Sequence, residues 1–201
     1  MTKVFSAHAT SVDGYITGPD PNPARSLGIG GEQLFDWYAD GDTPVHGYST
    51  FRLSAASAAV FEALVDRVGA VIAGRKTYDD SDGFAGGGPH PTAPLFVLTH
   101  AAPSDPAHPQ QRFVTTGIDD AIKQASAAAS ATGKDVALMG SGPVAPALGA
   151  GLLDEIIIHQ VPVLLGGGTP FFRTLPAKVQ LRRRTIVKAP GATHLTQSLE
   201  R

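Results

Sequence analysis

The stretch from Asp135 to Val161 constrains this chain more than any other. It reads as a strand, DVALM, then the turn GSGPVA, a short helix over Pro143 to Ala150, and a second strand over Glu155 to Val163. Two strands joined through a helix make a crossover unit, and hence a parallel sheet. Gly140, Ser141 and Gly142 let the backbone come close to a ligand. The helix behind them offers unpaired N–H groups and the positive end of its dipole to a phosphate. Pro143 suits the first helical position, where its missing N–H is no loss. The same glycines would also serve a bare tight turn, but a glycine-rich strand-to-helix turn in an α/β protein favours phosphate. Gly140-x-Gly142-x-x-Ala145 also matches a Rossmann fingerprint. That fold needs an acid at the end of the next strand, where this chain has His159, Gln160 and Val161, with Asp154 and Glu155 at the wrong end. An orthodox Rossmann domain is therefore not expected.

Further crossover units precede this one. Val4 to Ala9 reads as a strand running into the turn Asp13-Gly14. Segment 19–50 is rich in Pro, Gly and Asp and reads as a long loop, with one helical turn near Phe35 to Tyr38. Loops of this length often form lids or binding walls. Ser54 to Val68 carries Val60, Leu64, Val65 and Val68 near helical spacing, with Ser54 or Ser57 as N-cap. Ala70 to Ala73 is a buried strand ending at Gly74, and Leu95 to Leu98 another. Segments 82–94 and 101–111 are loops. Asp119 to Thr132 is an alanine-rich helix stopped by Gly133. Segments 178–188 and 193–199 read as strands joined by Ala189-Pro190-Gly191, hence antiparallel. The expected fold class is α/β, one domain over residues 1–201, with a mostly parallel central sheet and a C-terminal antiparallel hairpin.

Composition removes several functions. A net charge of −2 supplies no basic field for a nucleic-acid backbone. Zero cysteines exclude disulfides, thiolate nucleophiles and Cys-ligated metals. The seven histidines show no ligand spacing, so no metal site is expected. GxSxG is absent, and with it the serine hydrolase signature. The N-terminus lacks a signal-peptide core, and the most apolar stretch, Ile156 to Leu165, is too short to span a bilayer. A cytoplasmic protein without membrane contact is expected.

Several segments could carry chemistry. Gly74-Arg75-Lys76-Thr77 follows a buried strand and combines a guanidinium, an ammonium and a hydroxyl, which make a compact anion site unless Arg75 and Lys76 are merely solvated. Thr99-His100 ends the next strand. Asp13-Gly14 is first a turn signal. Gly166-Gly167-Gly168 is either a close-approach loop or a flexible turn. Arg182-Arg183-Arg184 suits a strand edge, where charge discourages aggregation. The apolar stretch Val161 to Phe172 leads us to expect a homodimer.

SVDGYITG, GRKTYD and GSGPVAPAL…GLLDEIIIHQVPVLLGGGTPFF, in this order, resemble the dihydrofolate reductase-like superfamily. The similarity is closest to the C-terminal reductase domain of bacterial riboflavin biosynthesis and its stand-alone relatives. The resemblance implies a three-layer fold and NADPH lying across the carboxyl ends of the strands. By position, Ala9, Ile16 and Thr17 would border the nicotinamide, and Trp37 would lie near cofactor or substrate. Gly74, Arg75, Lys76 and Thr77 would hold phosphate groups, with Thr99 and His100 beside the adenosine 2′-phosphate. Gly140, Ser141, Gly142, Pro143, Val144 and Ala145 would cradle the pyrophosphate. The riboflavin branch carries a substrate-binding glutamate where this chain has Gly140. Asp36, Asp40 and Tyr78 are the candidate proton donors. The implied activity is hydride transfer from NADPH to a C=N or C=O bond of a small, heterocyclic substrate. The alternatives are a pathway-specific pyrimidine or pterin reductase, or a nucleotide-binding protein without turnover.

Overall fold

The computed structural model describes residues 1–22, 24–104, 108–173, 175 and 177–200, so Pro23 in loop 19–50 and positions 105–107 in segment 101–111 lie outside it. The strands are β1 (Val4–Thr10), β2 (Thr43–Val45), β3 (Tyr48–Leu53), β4 (Val68–Gly74), β5 (Leu95–Leu98), β6 (Gln111–Val114), β7 (Asp135–Met139), β8 (Glu155–Gln160), β9 (Leu181–Lys188) and β10 (Thr193–Leu199). The α-helices are α1 (Ala55–Arg67), α2 (Arg75–Asp80), α3 (Ile118–Ser130) and α4 (Ser141–Gly149), and short 3-10 helices cover Gly31–Ala39 and Asp82–Gly86. The expected α/β class and C-terminal hairpin are both present. By packing, the chain divides into two units. One takes Met1–Ser6, Arg67–Glu155 and Leu175–Lys178, and the other Ala7–Asp66, Ile156–Thr174 and Val179–Arg201.

In the first unit the strands run β6-β5-β4-β7-β1, all paired in parallel. Every residue of β4 is buried, which explains its unbroken apolar sequence. Ile118, Ala121, Ile122, Ala125 and Ala129 form the buried stripe of α3. That helix sits close because Gly69 has no side chain: a Cβ there would stand 2.8 Å from Ala129 Cα. β6 is absent from the sequence expectation because Gln111 and Arg112 break any apolar pattern, and only pairing with β5 defines it. Helix α4 starts at Ser141, so Pro143 is its third residue rather than its first. An N–H at that position has no partner within a helix either, so the proline still costs nothing there.

In the second unit the strands run β1-β8-β10-β9. The β9–β10 pair is antiparallel, and Ala189 N–H bonds Ala192 O across the expected turn. Arg182, Arg183 and Arg184 are exposed on β9, the edge strand, as their charge suggested. Segment 19–50 is more ordered than a loop. The 3-10 helix fills its middle, and β2 pairs antiparallel with β3 as a hairpin, Thr43 opposite Leu53 and Val45 opposite Tyr48. Leu34, Trp37, Val45, Leu53, Ala58, Val161 and Ala192 form the core of this unit. Tyr38, Phe51, Tyr48 and Phe61 pack around it, with Tyr38 stacked on Phe51 at 4.3 Å. Ser54 caps α1, its Oγ accepting from Ser57 N–H at 3.4 Å.

Candidate functional site

In open parallel sheets ligands gather beyond the carboxyl ends of the strands. In the first unit β4 and β7 are neighbours, and each runs straight into a helix, β4 through Gly74 into α2 and β7 through Gly140 into α4. The two sequence-distant turns meet there. A Cβ on Gly142 would face only Gly74 Cα, at 3.7 Å, and one on Gly74 would stand 3.5 Å from Pro143 Cδ. Between them lies bare main chain, headed by the N–H groups of Ser141 and Gly142, which have no partner within α4. This strip fits a phosphate group. Gly140 is fixed by its surroundings. Its φ is +81°, and the place of its missing Cβ is taken by Thr77 Oγ1. The position that holds a glutamate in the riboflavin branch therefore has no room for a side chain here.

Arg75 and Lys76 belong to α2 rather than to a loop, and both are ion-paired. Arg75 Nε donates to both Asp79 oxygens at 2.8 and 3.0 Å, and Lys76 Nζ to both Asp80 oxygens at 2.9 and 2.7 Å. Arg75 Nη1 also reaches Ala101 O at 3.3 Å, the carbonyl to which Thr99 Oγ1 donates at 3.0 Å. The sheet thus joins Arg75 to Thr99 while His100 stays exposed. Both pairs lie at the surface, where such bridges contribute at most about 1 kcal/mol, so an incoming phosphate competes for Arg75 at little cost. The side chains of Pro143 and Val144 are buried, which leaves only their main chain for ligand contact. Ala145 is half-buried.

The second unit holds the remaining expected residues. Ile16 and Thr17 are half-buried, and both are stitched to Thr169: Ile16 N–H to its carbonyl at 2.9 Å, Thr169 N–H to Thr17 Oγ1 at 2.8 Å. Gly168 approaches Thr17 and Gly18 so closely that a Cβ would overlap their carbonyls, so this glycine is required by the packing of its own chain. Asp13 accepts from Gly166 N–H at 2.8 Å and Leu165 N–H at 3.2 Å, a structural role. Hydrogen bonds from Ser11, Gly166 and Leu165 hold its carboxyl below the usual carboxylate range. Ala9 packs on the core to which Trp37 belongs. Trp37 itself is 0% exposed and packs in the core of this unit.

Of the candidate donors, Asp36 is exposed, and Asp40 is engaged by the N–H groups of Ser54 at 2.6 Å and Gly191 at 3.0 Å. Tyr78, in the first unit, donates to Gln111 Oε1 at 3.2 Å. The stretch expected at a dimer interface is largely covered by its own chain: Val161 and Phe171 are buried, and Val163 and Leu165 join the core. Of its large apolar side chains Leu164, 72% exposed, stands free of that cover, with Val12 exposed nearby through the Val12 N–H to Val163 O bond. Sequence reasoning missed one set altogether, Ser57, His159 and His194, because no spacing links residues so far apart in the chain. Among the described residues no His, Cys, Asp and Glu group could hold a metal ion, and no helix is long and apolar enough to cross a membrane.

A parallel sheet with glycine turns at its carboxyl ends and an antiparallel C-terminal hairpin defines an α/β protein of dihydrofolate reductase-like fold. The model of the RibD C-terminal domain family matches residues 2–195, and the chain belongs to that family. Among solved structures, a putative riboflavin biosynthesis protein from Shewanella sp. PV-4 is similar over 100% of both chains, at TM-score 0.70 and 24% identity. A diaminohydroxyphosphoribosylaminopyrimidine deaminase/5-amino-6-(5-phosphoribosylamino)uracil reductase from Thermotoga maritima is similar over 98% of this chain and 56% of its own, at TM-score 0.61 and 11% identity. RibD from Acinetobacter baumannii is similar over 100% of this chain and 58% of its own, at TM-score 0.58 and 13% identity. The chain thus spans little more than half the length of the latter two. At these identities the likeness is one of fold. No curated protein matches the chain.

Proposed function

We propose that this protein is an NADPH-dependent reductase that reduces a C=N or C=O bond of a small, heterocyclic substrate. The observation that carries this reading is the meeting of Gly74 with Gly142 and Pro143 at the ends of β4 and β7, a strip of main chain without side chains. Ser141 and Gly142 N–H groups would hold the pyrophosphate, and Arg75, Lys76, Thr99 and His100 the 2′-phosphate. Ala9, Ile16 and Thr17 would border the nicotinamide. When bound, NADPH supplies the hydride, and the chain's part is to position it and keep water away. A narrower reading, a pyrimidine reductase, is favoured by the Thermotoga neighbour, which is named as a uracil reductase. The filled space beside Gly140 argues for a substrate held differently from that of the riboflavin branch.

The test is calorimetric titration of NADPH and NADH into wild type and Arg75→Ala. Charge-assisted hydrogen bonds contribute about 1.5–3 kcal/mol, so the variant should bind NADPH roughly ten- to a hundredfold more weakly and NADH unchanged. Equal losses would move Arg75 to the shared pyrophosphate, and no loss would remove it from the site. We also expect a homodimer, for which the exposed Leu164 and Val12 are the remaining motive. Light scattering should give twice the chain mass of 20.8 kDa, and a value near 20.8 kDa ends the idea.

A further inference from the structure

Three elements of the second unit meet on one buried hydrogen-bonded chain. Ser57 of α1, His194 of β10 and His159 of β8 are all buried. Ser54 Oγ donates to Ser57 Oγ at 3.1 Å, Ser57 Oγ lies 3.1 Å from His194 Nε2, and His194 Nδ1 lies 2.8 Å from His159 Nδ1. Two ring nitrogens this close bond only when one carries hydrogen and the other does not. A neutral chain satisfies this with its protons ordered in either direction. A chain with one extra proton on His194 satisfies it too, because that imidazolium donates to Ser57 Oγ at one end and to His159 Nδ1 at the other. A second extra proton sets N–H against N–H, and the chain breaks.

The surroundings choose which ring takes the first proton. Burial lowers the pKa of His194, but Asp40, whose carboxylate is pinned by Ser54 and Gly191, works the other way and favours a charge on that ring. The charges that act on His159 are those of two other imidazoles, His194 and His8 of β1, and burial with these neighbours pushes it down to about 3. Burial also holds His8 down, to about 4. Trp37, in the 3-10 helix, touches both rings of the chain, with centroids 4.9 Å from His159 and 5.2 Å from His194. Its buried Nε1 has no hydrogen-bond partner. The indole is therefore held by what packs against it, and Ala9 rests on the same core.

We propose that Ser57, His194 and His159 are positioning residues whose shared-proton chain holds Trp37, and through it the Ala9 wall on which the nicotinamide would lie. The link to the cofactor rests on the reductase reading above; the chain itself does not.

Imidazole ¹⁵N spectra of the full chain, recorded as pH falls alongside emission from Trp37, the only tryptophan, read the chain directly. At neutral pH one of the two rings should be the Nδ1–H tautomer. One proton should be gained before the buried emission is lost. Two Nε2–H tautomers, or two protons gained with Trp37 undisturbed, would overturn the proposal. Calorimetry with NADPH then tests His194→Gln and His194→Phe at neutral pH. Glutamine keeps a donor and an acceptor, so affinity should stay within about threefold of wild type. Phenylalanine fills the volume but takes the ring partner from His159 Nδ1 and leaves Ser57 Oγ bonded to Ser54 alone, so Trp37 emission should shift to the red and NADPH weaken by about tenfold or more. Equal losses in both variants, or wild-type binding by His194→Phe, would overturn the positioning role. Should His194→Phe fail to fold, the glutamine variant and the spectra still decide. A wild-type chain that binds no NADPH overturns the proposed function and the Ala9 link with it, while the spectra judge the proton chain alone.

Discussion

Arg67→Ala should destabilise the first unit by about 3 kcal/mol, because it strips the partner from two carboxylates at once. Arg67 Nε and Nη2 grip Asp135 Oδ2 at 3.0 and 2.8 Å, and Nη1 meets Glu155 Oε1 at 2.5 Å. The guanidinium also lies 4.2 Å over the Phe5 ring. Burial works against its charge, but the hydrogen bonds and charges of Glu155 and Asp135 outweigh this and raise its pKa. At 26% side-chain exposure the triad is partly screened, which sets the cost at the lower end for a broken buried pair. Arg67→Lys keeps the charge but loses the fork, and should cost about half as much. Replacing all three residues by apolar ones of similar volume should recover most of the loss, since no charge is then left unpaired. Urea unfolding decides the matter: a lower midpoint at unchanged slope is expected. A cost for Arg67→Ala under about 1 kcal/mol would reduce the triad to an ordinary surface bridge.

Gly140 and Gly142 should respond in opposite ways, although only Ser141 separates them and both belong to the same turn. Gly142 is exposed, and a Cβ there meets only Gly74 Cα at 3.7 Å. Gly142→Val should therefore fold with stability within about 1 kcal/mol of wild type, yet bind NADPH about a hundredfold more weakly, because a branched side chain stands where the pyrophosphate would meet backbone. Wild-type affinity in a folded Gly142→Val protein would remove the loop from the cofactor site. Gly140→Ala should instead damage the fold, by about 2 kcal/mol or more, through the positive φ and the overlap with Thr77 Oγ1. Adding Thr77→Ala removes that oxygen and should return the steric share while the φ share stays. If the double variant is no more stable than the single one, Thr77 is not the obstacle.

Much of this protein was legible where local chemistry and tertiary structure agree. The unbroken apolar run of β4, the stripe and terminal Gly133 of α3, and the Ala189-Pro190-Gly191 turn state their elements by period and turn residue alone. The GSGPVA turn announced its place between a strand and a helix for the same reason. β6 and the β2–β3 hairpin were not legible. Their sequences carry too few apolar residues for a period, and a strand partner supplies what the side chains do not. The burial of Trp37 and the pairing of Arg75 with Asp79 are likewise outcomes of packing: an indole fits a core as well as a binding wall, and an arginine reads the same beside a phosphate or a carboxylate.

The sequence by itself determined the alternation of strands and helices, the antiparallel end and the two glycine turns, because each depends on neighbours within a few residues. Only the tertiary structure decided that the turns meet, that Thr77 fills the space at Gly140, and that Ser57, His194 and His159 line up within hydrogen-bond distance. Those facts depend on distances between residues far apart in the chain. No propensity or spacing encodes such distances until the sheet has brought the strands together.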